Sequence, residues 1–238
     1  MTRSPARFPR LLSSFLAVLT VAALTTACGS RSRDLEPGTY RAVLELPGGE
    51  LPFGLDVAQE EDGVVLYLVN GEERVRVTEV TVAEGRLSAT MPGYENTLTA
   101  EVRGGKLTGE VSLLRAGGER QVLPFRAEAG KTWRFFETPV TDNADVAGRW
   151  SVTFTSDQGK ESPGVAEFTQ SFERVTGTIL TPTGDHRFLA GEMRGDELHL
   201  SRFDGASAYL YKAKVDADGH LVGEYWSGKT GHQSFRAE

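Results

Sequence analysis

The chain has 238 residues, of which 39% are hydrophobic and 25% are charged, and its formal net charge is −7. This composition is sufficient for a packed core in one large or two small domains, and it excludes a wholly disordered protein. The acidic balance, with no basic patch that carries interleaved aromatic residues, argues against nucleic acid and anionic lipid headgroups as partners.

The first 27 residues have the pattern of a secretory signal. A basic segment with Arg3, Arg7 and Arg10 precedes the apolar run LLSSFLAVLTVAAL, which is too short for a comfortable membrane span. Small residues then lead to Cys28 in TTACGS. These 27 residues contain three arginines and no acidic residue, so the net charge falls from −7 to −10 without them.

The segment that ends at Cys28 resembles a bacterial lipoprotein signal, in which the cysteine is lipidated and becomes the mature N-terminus. Leu24 lies one position further from the cysteine than the family pattern prefers, and Thr25 occupies its slot, so ordinary signal peptidase cleavage near Ala27 is the alternative. Cys28 is the only cysteine, and the resemblance implies that it is the lipidation site. Because Gly29 rather than Asp follows, the resemblance implies an outer-membrane anchor that faces the periplasm.

Beyond this segment the sequence predicts short β-strands, since apolar and polar residues alternate and Gly, Asn or Asp interrupts them about every 8–12 residues. The pattern also repeats, because Gly38 to Phe125 and Gly148 to Phe235 both span 87 positions, and FRAE ends both stretches. Chance similarity between alternating strands is the alternative. We therefore expect an all-β protein with two tandem antiparallel β-meanders, or small up-and-down, lipocalin-like barrels, of about eight strands each.

The repeat fixes the expected domain organisation. Trp133, Phe135 and Phe136 make the segment between the units too apolar for a free linker, so they are expected to add a strand or to pack between the units. The predicted segments are a signal peptide at 1–27, a tether at 28–37, a first unit at 38–128, a linker at 129–145 and a second unit at 146–238.

Two sequence patterns are typical of ligand sites but lack the context that those sites need. GEYWSGKT at 223–230 fits the phosphate-loop pattern, but no helix is predicted in the eight residues that follow, so we expect a hairpin and no nucleotide. DADG at 216–219 resembles the start of a calcium loop, but Ser227 stands where the bidentate Glu is needed, so we expect a turn. No cofactor and no metal are predicted, because no metal-ligand spacing relates the four histidines His186, His199, His220 and His232.

Predicted loops of the second unit carry the candidate binding residues. TPTGDHR at 181–187 and FDG at 203–205 place polar residues where the rim of a barrel would be. Two aromatic residues are included, although core packing is their alternative explanation, as it is for Trp150. No catalytic residue is predicted, and the candidate binding set is Asp185, His186, Arg187, Asp204, Tyr209, Trp226 and His232.

The second unit also resembles a known β-rich segment. The strings GRWSVTFT, LTPTGDHRFLAGEM, LHLSRFDGASAYLYKA and GEYWSGKTGHQSFRA are similar to the module that precedes the thioredoxin-like domain in TlpA/redoxin-type bacterial envelope proteins. In that family the thioredoxin-like domain performs thiol–disulfide exchange with a C-x-x-C pair. No cysteine follows Cys28 here, so no redox role is carried over to any residue. The resemblance implies an accessory module, either a stand-alone relative or a chain cut before the catalytic domain.

Three functions remain open at this point. The favoured one is a non-catalytic, lipid-anchored periplasmic binding or positioning module, with a thioredoxin-like protein as its expected partner. The second is a lipocalin-like carrier of a small apolar ligand, which the G-x-W at 148–150 favours. The third is an enzyme that uses Asp185, His186, Asp204 and His232, although no known catalytic set is recognisable.

Overall fold

The computed structural model describes residues 1–2, 34–115 and 117–238, so the expected signal segment and Cys28 lie outside the described residues. Within these ranges the regular structure consists of β-strands, which confirms the all-β prediction. None of the described residues belongs to a helix that is long and apolar enough to cross a membrane.

The strands form two antiparallel sheets, one in each predicted unit, which confirms the tandem organisation. Over the described residues the first sheet comprises β1 Gly38–Leu46, β2 Gly49–Glu60, β3 Gly63–Asn70, β4 Glu73–Val77, β5 Glu79–Ala83, β6 Arg86–Thr90, β7 Thr97–Arg103, β8 Lys106–Leu114 and β9 Arg120–Ala129. The second comprises β10 Gly148–Ser156, β11 Glu161–Ser171, β12 Arg174–Thr181, β13 Gly184–Arg194, β14 Glu197–Phe203, β15 Ala208–Val215, β16 Leu221–Ser227 and β17 Gly231–Ala237.

Both sheets have up-and-down topology. In the second sheet β17 pairs with β10, so the sheet closes into a barrel, which we call barrel 2. In the first sheet β9 pairs with β1, and β4 and β5 are left at the two ends of the strand order. This sheet is therefore a nearly closed barrel, which we call barrel 1. Closure of this kind removes exposed edges on which another chain could pair.

Barrel 1 has nine strands in the described part of the chain, one more than the expected number, because the chain breaks at Thr78. The N–H of Val80 donates to the carbonyl oxygen of Thr78 at 2.9 Å, and this tight turn takes the chain out of the ladder with β3. The corresponding strand of barrel 2, β13, is continuous. It instead shifts register against β12 between Gly177 and Ile179, and Phe188 has a positive φ of 57°.

The strand registers show which residues correspond in the two barrels. Leu44 pairs with Phe125 across β1 and β9, and Phe154 pairs with Phe235 across β10 and β17. The two FRAE strings therefore lie at the same place in their barrels, and Leu44 corresponds to Phe154.

A pair of glycines confirms this correspondence. Gly109 pairs with the phenylalanine of the first FRAE and Gly223 with that of the second. A Cβ at Gly109 would overlap the carbonyl oxygen of Thr99, and a Cβ at Gly223 would overlap that of Lys212. Both barrels therefore need glycine at this position, because the neighbouring strand approaches too closely for a side chain.

Alternate residues of each strand point into the barrel, as the two-residue period of a strand requires. Tyr40 and Leu44 in β1 are almost fully buried, as is Phe154 in β10. Trp150 is partly buried against the core of barrel 2, and its indole N–H donates to the carbonyl oxygen of Val146 at 3.0 Å. Trp150 therefore has the core role expected for it.

Barrel 2 packs against barrel 1 through the outer faces of β14 and β15. Phe203, Ala208 and Leu210 are buried within the core of barrel 1, and the ring of Phe203 lies 4.9 Å from that of Phe53. The described residues of the two barrels accordingly belong to one compact unit.

Asn70, at the end of β3, makes hydrogen bonds to the backbone of β14 that a neighbouring strand would otherwise make. Its Oδ1 accepts a hydrogen bond from the N–H of Phe203 at 3.1 Å, and its Nδ2 donates to the carbonyl oxygen of Phe203 at 2.9 Å. The ladder between β13 and β14 stops at the pair Ala190 and Ser201. Asn70 thus satisfies the backbone groups of Phe203 that β13 does not reach.

The segment between the barrels is held by Glu192 of β13. Its carboxylate accepts hydrogen bonds from the backbone N–H groups of Arg134, Phe135 and Phe136 at 3.1, 2.9 and 2.9 Å. The segment therefore packs between the units, which is the second of the two arrangements expected for it, and it adds no strand in the described residues.

Arg134 in this segment joins the two barrels. Its guanidinium donates to the Oγ and the carbonyl oxygen of Ser201, both at 3.0 Å, and to the Oδ1 of Asn70 at 3.1 Å. Burial lowers the pKa of Arg134 to about 9, so the side chain remains cationic at neutral pH. A buried cation that depends on fixed partners makes the relative position of the barrels specific.

Candidate binding site at the mouth of barrel 2

The two ends of each barrel are formed by different sets of turns. We use "mouth" for the end at which β10 turns into β11, and for the equivalent end of barrel 1. In barrel 2 the mouth turns are residues 157–160, 182–183, 204–207 and 228–230, and in barrel 1 their described residues are 47–48, 71–72, 91–96, 115 and 117–119.

The outer wall of barrel 2, together with its turn 204–207, covers the mouth of barrel 1. Every mouth turn of barrel 1 touches a residue of barrel 2, either through van der Waals contact or through a hydrogen bond. In chain order, a Cβ at Gly48 would overlap the ring of Trp226 and a Cβ at Gly71 would lie 3.3 Å from Thr176. Asn96 donates a hydrogen bond to the carbonyl oxygen of Gly205, and Arg115 donates one to that of Ser227.

The mouth of barrel 2, in contrast, contains a cavity of about 340 Å³. Phe154 and Tyr225 are buried and line its inner part, whereas Lys160, Pro182 and Thr183 are exposed and line its outer part. The remaining lining residues are Ser156, Ser162, Thr181, His186 and Gln233.

Barrel 1 has aliphatic residues at the same inner positions. The strand registers match Leu44, Leu46, Leu51, Val111 and Leu123 of barrel 1 with Phe154, Ser156, Ser162, Tyr225 and Gln233 of barrel 2. These five aliphatic residues are at most 7% exposed. Barrel 1 thus fills its mouth with aliphatic side chains, whereas barrel 2 leaves an opening lined by aromatic rings, hydroxyls and an amide.

A cluster of stacked rings lies beside this cavity in the interior of barrel 2. The ring of His186 is 4.3 Å from that of Tyr209 and 5.2 Å from that of Tyr225, on which it stacks. Tyr225 stacks in turn on Tyr211 at 4.5 Å. The hydroxyl of Tyr211 is hydrogen-bonded to Nδ1 of His186, and burial raises the pKa of Tyr211, so this hydroxyl keeps its proton.

The surroundings of His186 favour its neutral form. Burial and, to a smaller extent, the positive charge of Arg202 lower the pKa of His186 to about 4, although the negative charge of Asp185 acts in the opposite direction. Arg202 is itself paired with Asp204 at 2.6 Å and with Glu73 of barrel 1 at 3.4 Å. His186 therefore presents an uncharged imidazole at neutral pH.

The other predicted site residues lie in different parts of barrel 2. Tyr209 contacts His186 inside the barrel, whereas Asp185 and Arg187 are exposed and flank His186 along β13. By the alternation of a strand, both point away from the cavity that His186 lines. Trp226 lies on the outer wall, against Gly48 of barrel 1, and so belongs to the contact between the barrels.

Asp204 and His232 have separate hydrogen-bond partners. Asp204 accepts hydrogen bonds from the N–H groups of Ala206 and Ser207 at 3.0 and 2.6 Å, which holds the mouth turn. His232 is hydrogen-bonded through Nδ1 to Asp157 at 2.7 Å and through Nε2 to Glu224 at 2.8 Å.

The structure therefore does not gather the predicted polar residues into one network. Across residues 34–115 and 117–238, no hydrogen bond joins His186 to Asp185 or His232 to Asp204.

The two motif-like strings form turns. GEYWSGKT comprises most of β16 and the turn into β17, as expected for a hairpin. In the DADGH turn, Asp216, Asp218 and His220 lie close enough to share an ion. The carboxylate of Asp216, however, already accepts the N–H groups of Asp218 and His220 at 3.0 and 2.9 Å and pairs with Arg236 at 3.1 Å. These bonds are those of a turn.

The predicted set omits most of the residues that line the cavity. Ser156, Ser162 and Gln233 carry no motif, and a serine or glutamine in an alternating strand is ordinary. The available signal was the repeat itself, since alignment of the two copies places each of these polar residues against a leucine.

Comparisons with known proteins leave the family open. No family model matches the chain, and no curated protein matches it. A solved structure from Nostoc punctiforme PCC 73102, described as a protein of unknown function from the DUF3598 family, is 13% identical. The match covers 85% of this chain and 95% of that one with a TM-score of 0.29. This similarity is too distant to assign a family or a function.

Proposed function

We propose that the protein is a non-catalytic binding module of the cell envelope, and that its ligand site is the mouth of barrel 2. The contrast between the barrels carries this proposal, because the positions at which barrel 1 buries five aliphatic side chains surround an open cavity in barrel 2. A barrel with a purely structural role would fill these positions, since protein interiors are close-packed.

The cavity supports a small ligand. Its volume of about 340 Å³ is at the lower end of the roughly 300–1,000 Å³ that is usual for small-molecule sites. Phe154 and Tyr225 offer ring faces for stacking, and Ser162 and Gln233 offer hydrogen bonds that orient the ligand.

A carrier of a small apolar ligand is the second candidate, and the aromatic inner wall favours it. The ring cluster of His186, Tyr211 and Tyr225 occupies the interior beside the cavity, so a long acyl chain has no room there. An apolar ligand of this site would have to be compact.

The other parts of the proposal rest on sequence. The signal-like segment 1–27 and Cys28 support a lipid anchor in the outer membrane, facing the periplasm. The resemblance of the second unit to TlpA/redoxin-type proteins supports a thioredoxin-like partner, which stays a prediction. The absence of cysteine after Cys28, and the separate partners of His186, Asp204 and His232, support a role without catalysis.

A fragment screen by saturation-transfer NMR tests the site. We expect small ring-bearing fragments to bind the full-length protein and to lose binding in Ser162→Leu, which introduces the residue that barrel 1 has at this position. The matched control is Ser234→Leu, a change at an exposed position of β17 beside Gln233. Fragments that bind all three proteins equally, or none that bind the wild type, would refute a site at this mouth.

A further inference from the structure

The hydrogen bond between Tyr211 and His186 determines which edge of the imidazole remains for a ligand. Tyr211 is 1% exposed, and its hydroxyl is bonded to Nδ1 of His186. Because Nδ1 is occupied and His186 lines the cavity, Nε2 is the ring nitrogen that remains for a bound molecule. Among the described residues no other group is hydrogen-bonded to Nε2.

The direction of this hydrogen bond follows from the burial of Tyr211. Its hydroxyl has one proton to donate, and in the described part of the chain the Nδ1 of His186 is the acceptor within reach. If Nδ1 carried the proton instead, the hydroxyl proton of Tyr211 would be buried without an acceptor, at a cost of about 1–3 kcal/mol. Tyr211 is therefore the donor, and the imidazole proton lies on Nε2.

We propose that the mouth of barrel 2 recognises a small, neutral, ring-bearing molecule through a hydrogen-bond acceptor, such as a carbonyl oxygen, that takes the Nε2 proton of His186. This inference rests on the proposed function and adds the class of ligand. The ring of the ligand stacks on Phe154 or Tyr225, and its acceptor points to His186.

The charges around the cavity select against ionised ligands. A cation would lose water beside Phe154 and Tyr225 and would also meet the positive charge of Lys160 at the rim. An anion would lose water beside Phe154 and Tyr225, and Arg202 is already paired with two carboxylates. Lys160 is exposed and therefore compensates weakly for that loss of solvation.

The hydroxyl groups around the cavity do not discriminate between a ligand donor and a ligand acceptor. Ser156, Ser162 and Thr181 can each donate or accept a hydrogen bond, so they adapt to either one. His186 is held by Tyr211 as a donor at Nε2, so it is the lining residue that favours a ligand acceptor over a ligand donor.

Three probes of similar size test this assignment on the full-length protein by saturation-transfer NMR titration. Acetophenone has a ring and a neutral acceptor, ethylbenzene has nearly the same shape without an acceptor, and benzoate is the anionic counterpart. We expect acetophenone to bind about tenfold more tightly than ethylbenzene, because one additional hydrogen bond increases the affinity by about that factor. Benzoate should bind more weakly than acetophenone.

His186→Phe keeps a stacking ring and removes the donor, so the preference for acetophenone should disappear while ethylbenzene still binds. In the wild type, long-range proton–nitrogen NMR of the histidine rings should show the Nε2–H tautomer for His186. In Tyr211→Phe, which removes the hydrogen bond on Nδ1, the tautomer should become mixed and the preference should shrink.

The possible results separate this inference from the proposed function. If acetophenone and ethylbenzene bind equally and Ser162→Leu blocks both, the site exists and the acceptor rule is wrong. An Nδ1–H tautomer of His186, or tighter binding of benzoate, would overturn the inference in the same way. If no probe binds, both the inference and the proposed site fail.

Discussion

Barrel 1 and barrel 2 have the same register between their first two strands and between their first and last strands, but they have different side chains at their mouths. Leu44 and Leu51 lie side by side in barrel 1 where Phe154 and Ser162 lie in barrel 2. The backbone register depends on turns and on a few glycines, whereas the inner side chains need only to fill the available volume. One copy of a repeated unit can therefore keep its register with a filled mouth while the other copy contains a cavity there.

The contact between the barrels explains why the opening is in barrel 2. The four mouth turns of barrel 1 rest on barrel 2, and Phe203 is buried in the core of barrel 1. No ligand could enter barrel 1 by that route without separating the two barrels. The mouth of barrel 2 keeps its β10–β11 and β12–β13 turns around the cavity.

The largest effect is expected from breaking the contact between the barrels. Phe203→Ala removes a fully buried ring that packs on Phe53, so it should lower the free energy of unfolding by about 3–5 kcal/mol. Urea denaturation measures this change. The matched control is Phe172→Ala, at a ring that is 87% exposed, which should change stability by less than about 0.5 kcal/mol. Equal losses in the two variants would show that barrel 1 does not depend on Phe203.

A smaller effect tests whether the barrels are equivalent in their backbones. Gly109→Ala and Gly223→Ala each place a methyl group against a carbonyl oxygen of the neighbouring strand, so each should cost about 1–3 kcal/mol or more. We expect similar losses in thermal unfolding, because the two glycines occupy the same place in the register. Gly54→Ala meets the Cβ of Val69 at 3.0 Å and should cost less. A loss in one barrel alone would contradict the equivalence.

The strands and their repetition could be predicted from the sequence because they depend on local features. Alternating residues in β1 and β10 and glycines in the turns act within a few positions. The break at Thr78 was not predictable, since a turn of two residues leaves little trace in an alternating pattern. The two hydrogen bonds between Asn70 and Phe203 join residues 133 positions apart, and no local pattern encodes them.

The candidate site was predicted only in part for the same reason. The polar segment 181–187 indicated His186, which lines the cavity, but the segment was expected to be a loop, whereas β13 already begins at Gly184 and contains His186. It did not show that Asp185 and Arg187 face outward, because the phase of the alternation at β13 depends on pairing with β12. Trp226 is an aromatic residue on a strand, and only the position of Gly48 in the other barrel makes it a contact residue.

The smallest expected effect concerns His232, which stands where barrel 1 has the exposed residue Val122. Hydrogen bonds to Asp157 and Glu224 raise the pKa of His232 above its ordinary value of about 6.5. Protonation of His232 therefore stabilises the fold. This stabilisation is complete below the pKa that the histidine has in the unfolded chain, and it is lost as the pH rises through its pKa in the folded state. Because His232 is 36% exposed, solvent reduces the contribution to less than about 1 kcal/mol.

His232→Val, which introduces the residue of barrel 1, isolates this contribution. The stability of the wild type relative to the variant should be greatest near about pH 5.5 and should vanish above the folded pKa. The quantity to measure is the difference in the free energy of unfolding between the wild type and the variant. The lowered pKa values of His186 and His199 make both proteins less stable as the pH falls from about 6.5 toward 4, and this shared effect cancels in the difference. A difference that stays constant with pH would mean that the two carboxylates do not hold a proton on His232, and that this part of barrel 2 is no more sensitive to pH than its counterpart in barrel 1.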